Sequence, residues 1–184
     1  MFQKINLNFD DLELSKIKGE LQQRWGPSKA KYTVYTFADW EYFYSLHHGK
    51  INFGIRPHYA YYAEVTGDSY LWPHIDPATT CKLNYYVQTG NCTTTFYKEK
   101  DNVNLLDGPE ETDAEKNSQF IVKASNDFEN LDEIGSFLAL PGEAYLIRVD
   151  LLHSVSQPQG VRNMISWVWH THTFEEILES IQIL

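Results

Sequence analysis

Residues 69–88, SYLWPHIDPATTCKLNYYVQ, decide the fold class. They contain two short β-prone runs, rich in Tyr, Trp, Ile and Val, separated by Pro77, Ala78, Thr79 and Thr80. Runs of the same kind surround them: HYAYYAEV at 58–65, TTTFYKEK at 93–100, SFLALP at 136–141, AYLIRVDLLHSV at 144–155 and RNMISWVWH at 162–170. Many short runs punctuated by Gly, Pro, Asn or Thr predict an antiparallel sandwich or barrel. An aromatic content of 15% fits such a β-rich core, because large rings pack well across pleated strands.

Outside this region the patterning predicts flanking helices. Asp10 or Asp11 can cap a helix in which Leu14, Ile17, Leu21 and Trp25 recur at helical spacing, and Gly26-Pro27 then stops it. Residues 37–48, FADWEYFYSLHH, read as a second, shorter helix ended by Gly49, with a strand as the alternative. Together they make a helical region over 10–50. Residues 99–132 form an acidic, Asn-rich insertion with one short strand expected at 120–122, placed over one end of the core. Thr173 to Glu176 form a capping box that opens a C-terminal helix over 173–184, with Ile177, Leu178, Ile181 and Leu184 on one face. That face packs on the sheet or pairs with a second copy in a homodimer.

The chain of 184 residues, 42% of them hydrophobic, is expected to form a single domain over 1–184. A formal net charge of -10 argues against nucleic acid as a partner, since phosphate binding needs a basic stripe. No apolar run reaches the length of a membrane span and the N-terminus lacks an apolar leader segment, so a soluble, cytoplasmic protein is expected. Cys81 and Cys92 are too few for a disulfide framework and lack zinc-site spacing, and both read as buried thiols.

The chemistry concentrates in WPHIDP. Side chains alternate along a strand, so His74 and Asp76 point the same way and can grip one ion together. His153, in the apolar run VDLLHSV, is the third candidate ligand. Two imidazoles and one carboxylate on one face of a metal leave positions open for oxygen activation by iron(II), whereas a structural zinc site is closed. Histidine is not scarce, however: His47, His48, His58, His170 and His172 are also present, and a His-x-Asp triplet arises by chance. Arg162 adds weight. If residues 157–160 form a hairpin loop, Val155 pairs with Arg162, and Arg162 shares the face of His153. A guanidinium beside a buried metal is costly unless a carboxylate-bearing cosubstrate pairs with it bidentately. Ser166 falls on that face too and can donate to the same carboxylate.

Taken together these residues resemble the iron(II)/2-oxoglutarate dioxygenases, and within them the prolyl-hydroxylase-like branch. The matching pieces are WPHIDP, CKLNYYVQ and LPGEAYLIRVDLLHSVSQPQGVRNMISWVW, over roughly residues 59–170 apart from the insertion. The resemblance implies a double-stranded β-helix, the cupin-like jelly roll, with Fe(II) held by His74, Asp76 and His153. It implies that Arg162 binds the distal carboxylate of 2-oxoglutarate and that an aromatic residue of YYVQ, Tyr86 first, lines the cosubstrate pocket. Asn84 shares the face of Tyr86, while the apolar set Leu83, Tyr85 and Val87 has the better claim to the core; Tyr62 is a further candidate.

The implied reaction consumes O2 and 2-oxoglutarate, releases succinate and CO2 and hydroxylates an unactivated carbon, with ascorbate as a possible stimulant. The substrate is a small molecule or peptide: a prolyl side chain, a free amino acid or another metabolite. Two departures, Gly90-Asn91-Cys92 in place of a Gly-Gly pair and the 99–132 insertion, lie where substrate contacts would sit. The alternatives are a cupin-like binding domain without redox chemistry, and nucleic-acid demethylation, which the charge disfavours.

Overall fold

In chain order the chain forms β1 (Phe2–Ile5), α1 (Leu14–Ile17), β2 (Lys18–Trp25), β3 (Lys31–Phe37), α2 (Trp40–His47), β4 (Ile51–Phe53), β5 (Tyr59–Thr66), β6 (Leu71–Ile75) and β7 (Cys81–Thr89). It continues with β8 (Thr93–Glu99), β9 (Leu106–Asp107), β10 (Lys123–Ala124), β11 (Leu131–Leu138), β12 (Ala144–Arg148), β13 (His153–Val155), β14 (Arg162–Trp169), α3 (Phe174–Ser180) and β15 (Ile181–Ile183). These assignments come from a computed structural model that describes residues 1–9, 12–25, 31–66, 71–76, 78–100, 106–107, 123–124 and 128–184.

The protein is mainly β, with antiparallel sheets. A large sheet runs β1-β12-β7-β14-β5-β3-β2, a smaller one β11-β8-β13-β6-β10-β9, and β15 pairs with β4 alone. The middle of the large sheet, β7, β14 and β5, is buried on both faces. One face packs Tyr62, Leu83, Tyr85, Ile165 and Trp167 against Ile17, Phe43, Phe174 and Ile177 of the helical elements. The other packs Tyr61, Val65, Tyr86, Met164 and Val168 against Leu71, Phe96 and Val155 of the smaller sheet. Alternation therefore sends successive residues of β5, β7 and β14 into two different cores, and the site lies between the sheets.

The apolar run at 144–155 is divided between the sheets. β12 joins β7 in the large sheet, and the chain then crosses so that β13 lies between β8 and β6 in the smaller one. Of the 99–132 insertion, β9 and β10 are described, and β10 pairs with β6 through Lys123↔Ile75 and Ala124↔His74. The expected strand at 120–122 lies outside the described residues, and residues 131–132 belong to β11.

Three sequence expectations about the flanks change. The first concerns 10–25: α1 is a single turn, and the chain then extends as β2 along β3. Ile17 is buried, but Leu14 and Leu21, from the same supposed stripe, are exposed. Gly19 shows why the strand wins. A Cβ there would lie 2.6 Å from Thr36 Oγ1 and 2.8 Å from Ala38 N, so β2 approaches β3 more closely than any other residue permits. Asp10, Asp11, Gly26 and Pro27 lie outside the described residues. Second, residues 37–48 are helical only over α2, where Asp39 caps by accepting from Tyr42 N at 2.9 Å, and the region 10–50 as a whole is strand and helix mixed. Third, the capping box of Thr173 and Glu176 forms, but α3 stops at Ser180. Its β-branched tail pairs instead with β4, Ile181↔Phe53 and Ile183↔Ile51.

Cys81 and Cys92 are free and buried. No helix among the described residues is long and apolar enough to cross a membrane.

Candidate metal centre

His74 is the penultimate residue of β6, and Asp76 follows the strand, tethered by its backbone N–H to Val149 O at 2.9 Å. His153 opens β13 and stands directly opposite His74 in the β6·β13 ladder. The ring centroids are 4.4 Å apart. Each imidazole is held by the carbonyl two residues before it: His74 Nδ1 to Trp72 O at 2.6 Å and His153 Nδ1 to Leu151 O at 2.9 Å. Donation from Nδ1 fixes the tautomer, in which Nε2 carries the lone pair of each ring.

The ligand atoms of His74, Asp76 and His153 all lie within 4.8 Å of one another, with His74 Nε2 and Asp76 Oδ1 at 3.5 Å. Bonds of about 2.0–2.2 Å can gather donors so placed around one ion with small side-chain adjustment. Burial pushes the His74 imidazole below its usual pKa, and burial together with the neighbouring His74 ring takes His153 down to about 3. Both rings are neutral at pH 7 and need lose no proton to bind a cation. Burial alone would raise the Asp76 carboxyl, but the Lys82 ammonium and the two imidazoles outweigh it and hold the carboxyl down to about 2.

Lys82 joins the site from β7, beside the three candidate ligands. Its Nζ lies 2.5 Å from Asp76 Oδ2, and both side chains are largely buried. The Asp76 carboxylate thus has one oxygen toward the histidines and the other toward an ammonium. Burial would depress Lys82, but Asp76 and the hydroxyls of Tyr61 and Tyr32 keep it well above its usual range. The available signal was parity, since Lys82, Asn84 and Tyr86 share one face of β7.

Arg162 reaches the same pocket by a route different from the one its spacing predicts. β13 and β14 belong to different sheets, so Val155 and Arg162 do not pair; Arg162 lies between Val65 and Thr89 in the large sheet. It therefore faces the histidines across the interior. Its Nη2 donates to Tyr86 Oη at 3.0 Å and Thr94 Oγ1 at 2.9 Å, and its guanidinium carbon lies 4.9 Å from the Tyr86 ring centroid. Nη1 is buried without a hydrogen-bond partner among the described residues. A buried guanidinium with one unused N–H face, and no carboxylate paired to it among the described residues, fits an external carboxylate.

The remaining expected residues divide. Asn84 lines the pocket, and Ser166 Oγ donates to Asn84 Oδ1 at 2.7 Å, so the serine braces Asn84 within the protein. Tyr86 is fully buried and braces Arg162 through its hydroxyl. Tyr62 faces the other way: it belongs to the core under the helices and donates to Glu64 Oε1 at 3.2 Å. Its neighbour Tyr61 points between the sheets, with its hydroxyl 2.9 Å from that of Tyr32, which lines the pocket. A shift of one residue along β5 exchanges the faces. Val65, Leu71, Val149, Val155 and Met164 supply the pocket's apolar walls.

No protein-family model matches this chain, and no curated protein matches it. The functional reading therefore rests on the residues themselves.

Proposed function

We propose that this chain is an iron(II)- and 2-oxoglutarate-dependent dioxygenase that hydroxylates an unactivated carbon of its substrate. The observation that carries the reading is Arg162. A metal-binding triad alone has no use for a buried guanidinium with an unpaired Nη1 in the same pocket, whereas a 2-oxo dicarboxylic acid does. Strand pairing supports the double-stranded β-helix in which such sites are built. β5 pairs with β14, β6 with β13, β7 with β12 and β8 with β11, a nested first-with-last order that matches a jelly roll.

In this reading His74, Asp76 and His153 hold Fe(II) and leave adjacent positions for the cosubstrate and O2. When bound, iron and 2-oxoglutarate supply the oxidising chemistry, which converts the oxo acid to succinate and CO2 and transfers one oxygen atom to a C–H bond. The protein's part is positioning and exclusion of water. Arg162 Nη1 receives the distal carboxylate, Tyr86 and Thr94 fix the guanidinium plane, and the Val65, Leu71, Val155 and Met164 side chains keep the surroundings apolar. Lys82 holds Asp76 Oδ2 so that Oδ1 is the oxygen offered to the metal.

Purified protein given Fe(II), ascorbate, O2 and 2-oxoglutarate is expected to release succinate in the presence of substrate. Without substrate, it is expected to bind 2-oxoglutarate only when a divalent metal is present. Failure of both sinks the reading. The Lys82–Asp76 ion pair favours one rival, a cupin-like binding domain without redox chemistry, because an ammonium competes with a cation for the carboxylate. Metal affinity discriminates: the dioxygenase requires micromolar or tighter Fe(II) or Mn(II) binding that depends on Asp76.

A further inference from the structure

Lys82 is a buried cation for which the mechanism above has no use toward substrate. It opens the pocket-facing series Lys82, Asn84, Tyr86 of β7, and its ammonium lies 5.9 Å and 5.7 Å from the ring centroids of Tyr32 and Tyr61. Arg162 enters at the other end. In the β14·β7 ladder Lys82 pairs with Val168 and Arg162 with Thr89. The two cations therefore leave the backbone roughly 20 Å apart, at about 3.3 Å per residue.

The charged side chains lining the pocket are Asp76, Lys82 and Arg162, one anion against two cations, in a chain whose formal net charge is -10. A divalent metal adds two positive charges, and a doubly ionised 2-oxo acid cancels only those two. One positive charge is left over. Arg162 is occupied by the oxo acid, and Asp76 is shared between the metal and Lys82, so the excess falls on the metal–Asp76–Lys82 cluster, where the ammonium has three donors and directs one to Asp76. One carboxylate shared between two cations compensates a buried charge only in part, and a second anion there completes it.

We infer that the substrate of this site is a small molecule bearing a carboxylate, received by Lys82 beside the Tyr32–Tyr61 hydroxyl pair, on the side of the metal away from Arg162. The inference rests on the dioxygenase reading and deepens it. Because Lys82 touches Asp76, an acid held there has the carbons next to its carboxylate beside the metal. A free amino acid or short organic acid meets this requirement, and an uncharged prolyl side chain inside a peptide offers Lys82 no counter-charge.

The test uses full-length protein loaded with Mn(II) and 2-oxoglutarate in the absence of oxygen. It is titrated with free amino acids and short carboxylic acids, each beside its primary amide, and with an acidic peptide. Binding is read by ligand-observed NMR and thermal shift. At least one acid is expected to bind about tenfold or more tightly than its amide. The preference should disappear in Lys82→Met and persist in Lys82→Arg, each read at saturating Mn(II) and 2-oxoglutarate. The inference is overturned if acids and amides bind alike, if none binds, if only the acidic peptide shows the preference, or if the preference survives Lys82→Met; in each case the dioxygenase reading stands. Loss of Mn(II) or 2-oxoglutarate binding in the wild type overturns that reading as well. The acid–amide comparison needs wild-type protein alone, so misfolding of Lys82→Met leaves the test intact.

Discussion

Replacing Arg162 by Met is expected to weaken 2-oxoglutarate binding severely while leaving the metal-free protein as stable as wild type, or more so. Arg162 is 3% exposed and carries a full charge, yet among the described residues its side chain makes two hydrogen bonds, both from Nη2 to neutral hydroxyls, and its Nη1 makes none. Bonds from a charged donor contribute about 1.5–3 kcal/mol each. Against them stands the effective desolvation penalty of a buried ion, several kcal/mol when no counter-ion answers it. Met fills most of the arginine stem's volume without the charge, so the two effects nearly cancel. The net change in unfolding free energy should fall within about 1 kcal/mol of zero or on the stabilising side. Bound 2-oxoglutarate reverses the balance. Truncating one partner of a buried, hydrogen-bonded charge pair costs about 2–5 kcal/mol, which is a roughly 30- to 4,000-fold rise in Kd. Urea denaturation of the metal-free protein measures the first quantity, and tryptophan fluorescence titration of the Mn(II)-loaded protein under nitrogen measures the second. An Arg162→Met variant destabilised by more than about 3 kcal/mol, with unchanged 2-oxoglutarate affinity, would make Arg162 a structural residue and refute the reasoning.

Asp76→Ala should abolish metal binding and also destabilise the metal-free protein by about 3–5 kcal/mol, because it strands the buried Lys82 ammonium; adding Lys82→Met should restore stability but not metal, as denaturation and equilibrium dialysis can show. Stability of the metal-free protein should decline as pH falls below about 6.5: unfolded imidazoles take up protons there, whereas burial keeps His74 and His153 neutral, the latter down to about 3. The slope is on the order of 1.4 kcal/mol per pH unit for each excess proton on the unfolded chain, and urea midpoints of His153→Phe should fall less steeply than those of wild type. Tyr86→Phe should raise the 2-oxoglutarate Kd about five- to tenfold by releasing Arg162, and Tyr62→Phe should leave it unchanged, since Tyr62 faces the other core. Gly19→Ala distinguishes strand from helix by sign: beside Thr36 it should destabilise by about 1–3 kcal/mol, whereas in an amphipathic helix it would stabilise by about 1 kcal/mol, and thermal denaturation reports which.

What the sequence by itself determined were features set by neighbours along the chain. The β-prone runs became strands because alternation and turn residues act over a few positions, and His74 and Asp76 share a side for the same reason. The capping box at Thr173 and the cap at Asp39 are equally local. Which strands meet was decided only in three dimensions. Leu14, Ile17 and Leu21 fit a helical stripe, but β3 offered a ladder, and Gly19 allowed the close approach that a helix would have left unused. Parity along β5 separates Tyr61 from Tyr62 but cannot say which of two buried faces meets the pocket; the packing of the smaller sheet on one side and the helices on the other makes that choice. The chemistry of Arg162 is legible in the sequence, but its ladder, between Val65 and Thr89, is not. Arg162 meets His153 across the interior because the 144–155 run crosses between sheets, and Lys82 acquires its part only because Asp76, from the opposite sheet, lies beside it. Local pattern sets which residues point together, and long-range strand pairing sets what they point at.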